Sequence, residues 1–286
     1  MSPASISVNE AIARTGAHLQ RRPLLVVSDF DGTLSQIVLD PWAAAILPLG
    51  RQALRRLAGM AGVFVVVLSG RTARDVAARV RVGNVTYLGN HGMERGYLPR
   101  GGRPERMLTT VAGAPEEAAA AAERLGDEVA RLLPEPWLIV ERKPPAVAFH
   151  YRQAPDVTAA GARVRALVDE LDPGGLLERF PGRRILELRP VGAIAKGEAL
   201  KSLIDEVKPG SVFMLGDDVS DALAFAVLRA EREAGRTDGV AVAIQARTEV
   251  PPEVGATADL VLGSPPDAAR FLSGLARALS SRAAPG

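Results

Sequence analysis

Hydrophobic and polar positions along the chain fall into two patterns. Near the amino terminus Ser7 and Glu10 suit a capping box, and the spacing predicts a first helix running to about Gln20. Leu24 to Ser28 is a short, β-branched apolar run, as expected of a parallel strand buried on both faces. A helix over about Leu49 to Met60 follows, then a second buried strand over Val63 to Leu68, a capped helix start at Thr72 and Asp75, and a third strand over Val85 to Leu88. The pattern then changes. Glu116 to Leu133 is a long alanine-rich helix, and Trp137 to Lys143 and Ala146 to Arg152 alternate like antiparallel strands joined at Pro144-Pro145. A helix over about Val157 to Leu171 precedes two short strands near Leu176 to Arg179 and Arg184 to Arg189. The first pattern then resumes: helix over Ala195 to Val207, strand over Val212 to Leu215, helix over Asp221 to Glu233, and strands at Val240 to Ile244 and Leu260 to Leu262.

Strands alternating with helices at both ends predict a parallel α/β sheet. The antiparallel middle predicts an inserted α+β domain. The expected division is a core of residues 1–100 and 190–286 with an insert of 101–189, and hinges near Pro99 to Pro104 and Pro190 to Gly192. No internal repeat is seen.

Composition narrows the classes. The 286 residues are 47% hydrophobic and 24% charged, enough to bury a core. The net charge is +2 and the arginines are scattered, so no nucleic-acid partner is expected. With no cysteine, disulfides, thiolate metal sites and a thiol nucleophile are excluded. Apolar runs stay at strand length, short of the ~20 residues a membrane span needs. Met1-Ser2-Pro3 does not open a secretory signal. The expectation is a cytoplasmic protein; oligomeric state is left open, with a monomer acceptable.

The chemistry begins with Asp29 and Asp31. At i and i+2 they project together from the carboxyl end of a buried strand, where open α/β sheets bind ligands. Gly32 permits a sharp turn, and Thr33 places a hydroxyl in it. Paired carboxylates repel, and a magnesium ion with a substrate phosphate would hold them; one could then attack phosphorus while the other handles protons. An ordinary acidic turn accounts for the pair equally well. Asp217, Asp218 and Asp221 follow the strand Val212 to Leu215, and metal binding explains three acids there better than helix capping, which uses one. Ser69-Gly70-Arg71 offers a hydroxyl, backbone N–H groups and a guanidinium at a strand-to-helix junction, a weak phosphate cradle when taken alone. Lys196 starts a helix, where cations are disfavoured, which hints at an anion nearby, although taken alone a solvated lysine accounts for it better.

In the order Asp-x-Asp, Ser, Lys, Asp-Asp, these elements resemble the four motifs of the haloacid dehalogenase-like (HAD) superfamily. That resemblance implies a Rossmann-like parallel-sheet core with an inserted α+β cap of the C2 type. It implies that Asp29 is the nucleophile and Asp31 the general acid and base, with Ser69 and Lys196 holding the transferring phosphoryl group. Magnesium would sit among Asp29, Asp31 (through its carbonyl), Asp217, Asp218 and Asp221.

A closer likeness runs from about residue 24 to 270. Pro41, Ala44 and Pro48, Gly89-Asn90-His91-Gly92-Met93-Glu94, Glu141-Arg142-Lys143, Phe149-His150-Tyr151-Arg152 and Glu187-Leu188-Arg189-Pro190 resemble the trehalose-6-phosphate phosphatase family. The resemblance implies a small phosphosugar substrate, with His91, Glu94, Glu141, Lys143 and Glu187 binding it. Glu141 and Lys143 share one strand face, opposite Arg142, and Glu187 stands in an otherwise apolar strand. Salt bridges within the insert are the alternative use of these groups. Ala222 and Leu223 replace two acids of the family's fourth motif, and Arg142 replaces the aspartate of Glu-Asp-Lys. These departures leave substrate identity more open than catalysis: a sucrose, mannosylglycerate or amino-sugar phosphate, a phosphomutase reaction, or phosphosugar binding without catalysis are the rival readings.

Overall fold

The computed structural model describes residues 5–38, 40–112, 116–182, 184–246 and 251–283; Met1-Ser2-Pro3 lies outside them. The chain opens with α1 (Val8–Thr15), β1 (Leu24–Ser28), α2 (Pro48–Ala58), β2 (Val63–Leu68), α3 (Ala73–Val80), β3 (Val85–Gly89), β4 (Glu94–Leu98) and β5 (Thr109–Val111). It continues with α4 (Glu116–Leu132), β6 (Ile139–Lys143), β7 (Ala146–His150), α5 (Val157–Leu171), β8 (Leu177–Gly182) and β9 (Ile185–Pro190). It ends with α6 (Lys196–Val207), β10 (Ser211–Gly216), α7 (Val219–Glu233), β11 (Asp238–Ile244), α8 (Pro252–Thr257), β12 (Leu260–Leu262) and α9 (Pro265–Ala283). Two compact units result, Met1–Thr110 with Ile194–Gly286, and Val111–Ala193.

The larger unit is an α/β sheet in the order β12-β11-β10-β1-β2-β3-β4-β5. From β12 to β3 every pairing is parallel, and β4 returns antiparallel on β3. In β1 the side chains alternate: Leu24 and Val26 join the cluster with α1, α2, α3 and α9, while Leu25 and Val27 join the cluster with α6, α7 and α8. Both faces are covered, so the strand reads as a continuous apolar run. Strand β1 has β2 on one side and β10 on the other, so the strand order reverses there, where α/β sheets open a crevice at the carboxyl edge.

Phe213 in β10 is fully buried, with the His18 ring edge-on at 6.5 Å and Phe271 at 6.4 Å. Phe213→Ala should cost about 3–5 kcal/mol, the usual range for an emptied aromatic site. Equilibrium urea unfolding measures it, and a loss below about 1 kcal/mol would contradict the packing described.

The smaller unit is an antiparallel sheet, β6-β7-β9-β8. Val147, Phe149, Leu186 and Leu188 pack against α4 and α5, so their strand neighbours, Ala148 and Glu187 among them, lie on the other face.

The first helix is shorter than the periodicity predicts. It stops at Thr15, with the cap at Gly16, and His18–Gln20 form a separate 3₁₀ turn that buries Leu19. Strands β4 and β5 have no counterpart among the sequence expectations. Among the described residues no helix is long and apolar enough to cross a membrane.

Candidate active site

The parallel strands deliver their carboxyl ends to one edge of the core. Asp29 follows β1, Ser69 follows β2, Asn90 and His91 follow β3, and Asp217 follows β10. Lys196 is the first residue of α6 and Asp221 lies in the first turn of α7.

At the centre, Lys196 Nζ donates to Asp29 Oδ1 at 2.6 Å and to Asp221 Oδ1 at 2.8 Å. All three residues are buried. Asp29, Asp217 and Asp221 each offer a carboxylate oxygen, all within 4.8 Å of one another. Two glycines allow this convergence. A Cβ on Gly32, whose φ is +86°, would overlap the Asp217 carboxylate, and one on Gly216 would overlap that of Asp221.

Three carboxylates facing one ammonium leave a surplus of negative charge. Burial pushes Asp29 up to about 7, against the pull of Lys196. Burial, then Asp29 and Asp221, raise Asp217 well above the ordinary carboxylate range. Burial also raises Asp221, with Lys196 opposing it. For Lys196 burial disfavours the charge, but Asp221 and Asp29 outweigh it and hold the ammonium above its usual range. Close oxygen donors with excess negative charge fit a hard divalent cation of the magnesium type.

Asp31 lies apart from the carboxylate cluster. Its side chain is 41% exposed, and Arg71 donates to both oxygens, through Nε at 2.7 Å and Nη2 at 2.8 Å. Arg71 is itself held by Asp75 at 3.1 Å and the Pro41 carbonyl at 2.8 Å, with its guanidinium 5.6 Å from the centre of the Phe30 ring. The guanidinium thus orients Asp31, a use that the spacing of Ser69-Gly70-Arg71 does not suggest. Ser69 is buried, and its Oγ accepts from the Arg71 N–H at 3.1 Å. Gly70 packs on His91, whose imidazole would meet any added Cβ.

Asp218 caps α7. Its carboxylate accepts the Val219 N–H at 2.8 Å, and Asp221 returns a capping-box contact to the Asp218 N–H at 3.2 Å. The helix-cap reading therefore accounts for Asp218, and the close oxygen cluster contains Asp217 and Asp221 without it. Glu94 accepts the Ala73 N–H at 2.7 Å, satisfying a donor in the first turn of α3. Asn90 and His91 have φ of 48° and 60° ahead of Gly92 at 117°. Two consecutive left-handed non-glycine residues cost about 1 kcal/mol or more each, and such strain clusters at working sites. Asn90, fully buried beside His91, is the member that sequence reasoning left without a role; the pair Asn-His before glycine was the available signal.

In the smaller unit, Glu141, Ala148, Glu187 and Phe180 form one register row across β6, β7, β9 and β8. Lys143 Nζ meets Glu187 Oε1 at 2.8 Å, and Arg189 donates to Glu187 Oε2 at 2.9 Å while stacking on Phe180 at 4.2 Å. Glu141 meets His150 Nε2 at 2.8 Å. Arg142 points away, to Asp127 at 2.6 Å. The residues that the sequence offered for sugar binding are therefore engaged in ion pairs within the unit. The two carboxylates stand two strands apart, about 10 Å, with Ala148 between them in the row.

A sheet that brings Asp29 out at its switch point and seats Lys196 against it, with an α+β unit inserted between β5 and α6, has the haloacid dehalogenase-like α/β fold. Residues 27–258 match the family described as trehalose-phosphatase, and the chain belongs to that family. A trehalose-phosphate phosphatase of Mycobacterium avium is 35% identical over 273 residues, 94% of this chain and 66% of that protein. An uncharacterized glycosyl hydrolase of Mycobacterium tuberculosis is 36% identical over 216 residues, 73% of this chain and 15% of that protein. This chain thus spans just under two thirds of the first relative and a small part of the second. The solved structure of the C. albicans trehalose-6-phosphate phosphatase C-terminal domain superposes with a TM-score of 0.74 at 22% identity, covering 97% of this chain and 99% of that one.

Proposed function

We propose that the chain hydrolyses trehalose 6-phosphate to trehalose and phosphate through a phosphorylated Asp29. The observation that carries this reading is Asp29 itself, buried at the switch point against Lys196 and beside two more carboxylates. Asp29 attacks phosphorus. The new P–O bond forms as the bond to the sugar oxygen breaks, and Asp31 gives that oxygen its proton. Asp31 then takes a proton from the water that attacks the aspartyl-phosphate, releasing phosphate and restoring Asp29. For the first step one oxygen of Asp31 leaves Arg71 and is protonated, which its exposure allows. Lys196 and Ser69 hold the transferring group. Asp29, Asp217 and the Asp31 carbonyl would hold magnesium, oriented by Asp221 and Asp218, and the ion would supply charge neutralisation at the phosphoryl oxygens. The inserted unit is the sugar-recognising cap: Glu141, Lys143 and Glu187 offer charged partners to hydroxyls, with His91 and Glu94 ordering the loop after β3.

Phosphate release from a panel of sugar phosphates tests the substrate. Trehalose 6-phosphate should exceed sucrose, mannosylglycerate and amino-sugar phosphates by about a hundredfold or more in kcat/KM, since unpaired polar groups penalise the wrong sugar. Equal turnover of a rival would move the assignment to that sugar.

The charge on Asp29 also sets a pH dependence. In the metal-free protein its pKa stands near 7 instead of 3.8. Between those values the folded chain holds a proton that the unfolded chain has lost. The resulting stability is full at low pH and disappears as pH rises through about 7. Magnesium must displace that proton, and the one that the raised pKa of Asp217 retains, so its apparent affinity should climb by roughly tenfold or more per pH unit as the pH rises toward 7. Calorimetric titrations between pH 5.5 and 8 would show this, and a flat affinity would remove the proton from the account.

A further inference from the structure

The reaction proposed above requires Asp31 to move, because one of its oxygens leaves Arg71 to carry a proton. Both oxygens rest on that one guanidinium, at 2.7 and 2.8 Å, so the placement of Arg71 decides where Asp31 points. A guanidinium held only by the carboxylate it orients would turn with it. Arg71 has anchors of another kind. Its Nη1 donates to Asp75 Oδ2 at 3.1 Å, and its Nη2 also donates to the Pro41 carbonyl at 2.8 Å.

Asp75 is itself fixed. It lies in the first turn of α3, where its N–H donates to the Thr72 hydroxyl at 3.2 Å. The oxygen that meets Arg71 also accepts from Arg79 Nε at 2.8 Å. Arg79, one turn further along α3, donates from Nη1 to the Trp42 and Ala44 carbonyls at 2.9 and 2.7 Å. Two guanidiniums are thus clamped between one carboxylate oxygen and the carbonyls of Pro41, Trp42 and Ala44. Ordinary helix stabilisation, a first-turn acid with an arginine at i+4, accounts for Asp75 with Arg79. It does not account for Arg71, which precedes the helix cap, has a side chain only 8% exposed, and is the residue that holds Asp31.

We propose that Asp75 is a positioning residue for the phosphoryl-transfer reaction: with Arg79 it fixes the Arg71 guanidinium, so that Asp31 keeps one oxygen on Arg71 while the other serves the proton transfers. This rests on the reading of Asp31 as general acid and base. Without the Asp75 carboxylate, Arg71 keeps the Pro41 carbonyl and Asp31 itself, and it turns as Asp31 turns. A displacement of about 1 Å that begins away from the reacting atoms can cost about a hundredfold in rate.

Single turnovers of the full chain with magnesium, enzyme in excess, test this with two substrates. One is the sugar phosphate that the parent turns over fastest, whose leaving oxygen needs a proton. The other is dinitrophenyl phosphate, whose phenolate leaves without one. Asp75→Ala should slow release of the free sugar about tenfold or more, and release of the phenolate by less than about threefold. A merely structural role would slow both alike. Asp75→Asn keeps an oxygen for both arginines and should retain most of the sugar release. Asp31→Asn, run beside them, should show the same selectivity more strongly. If Asp31→Asn is selective and Asp75→Ala is not, the proposal fails and the reading of Asp31 stands. If Asp31→Asn is not selective, that reading falls and the proposal with it. Asp75→Asn as slow as Asp75→Ala would also overturn the proposal, because the hydrogen bonds to the arginines would then not be what matters.

Discussion

Asp29→Asn should lower turnover of trehalose 6-phosphate by at least about 10⁴-fold while leaving the fold intact. The amide has no lone pair of comparable nucleophilicity and cannot form the acyl-phosphate, so what remains is binding and charge stabilisation alone, as when other enzymes lose their nucleophile. Folding should survive for reasons visible in the site. Asparagine keeps the volume of Asp29 and an oxygen for Lys196 Nζ, and Asp221 remains as the ionic partner of the ammonium at 2.8 Å. It also removes one charge from a cluster that has too many. Single-turnover phosphate release and a thermal melt, taken together, separate the outcomes. Turnover within tenfold of the parent in a normally folded variant sinks the role of Asp29. A collapsed melting temperature would mean that the site is chiefly a structural ion cluster.

The core sheet was largely legible because β1, β2, β3, β10, β11 and β12 are buried on both faces and read as apolar runs. Strand β4 was not, because the residues it turns inward are Glu94, Gly96 and Leu98, with Arg95 and Tyr97 outward. A periodicity reading requires apolar inward positions, whereas here the inward glutamate is satisfied by the Ala73 N–H. Strand β5 is an edge strand with little burial, so it leaves almost no pattern. In the site, Asp29 and Asp217 could be placed from strand ends alone. The partners of Arg71 could not, since Asp31 lies 40 residues away and the contact exists only once β1 and β2 are adjacent. Asp218 and Asp221 differ in the same way. Both follow one strand, but only the helical turn decides that Asp218 caps α7 while Asp221 faces Lys196. In the inserted unit the pattern revealed the charged face, and strand pairing decided which charges meet, bringing Lys143 to Glu187 and His150 to Glu141.

Lys196→Met should abolish activity and, unlike Asp29→Asn, should also destabilise the metal-free protein. Methionine fills much of the lysine stem, so the change is mainly electrical. It leaves Asp29, Asp217 and Asp221 buried within 4.8 Å of one another with no ammonium among them. Removing one partner of a buried ion pair costs about 3–5 kcal/mol. The pH dependence identifies the cause. Burial already raises the pKa of each of these carboxylates in the parent, and for Asp29 and Asp221 Lys196 is the main group that opposes the rise. Without it their folded pKa values climb further, so the folded variant binds more protons than the unfolded chain over a wider range. Its deficit relative to the parent should be largest near pH 8 and shrink as the pH falls and the carboxylates are protonated. Magnesium should restore part of the loss at pH 8, because a divalent cation placed among the same oxygens replaces the missing charge. Melts in EDTA at pH 5.5 and 8, repeated with magnesium, measure both effects. A deficit that ignores pH and metal alike would mean that Lys196 matters for packing, and the electrostatic account of the site would fail.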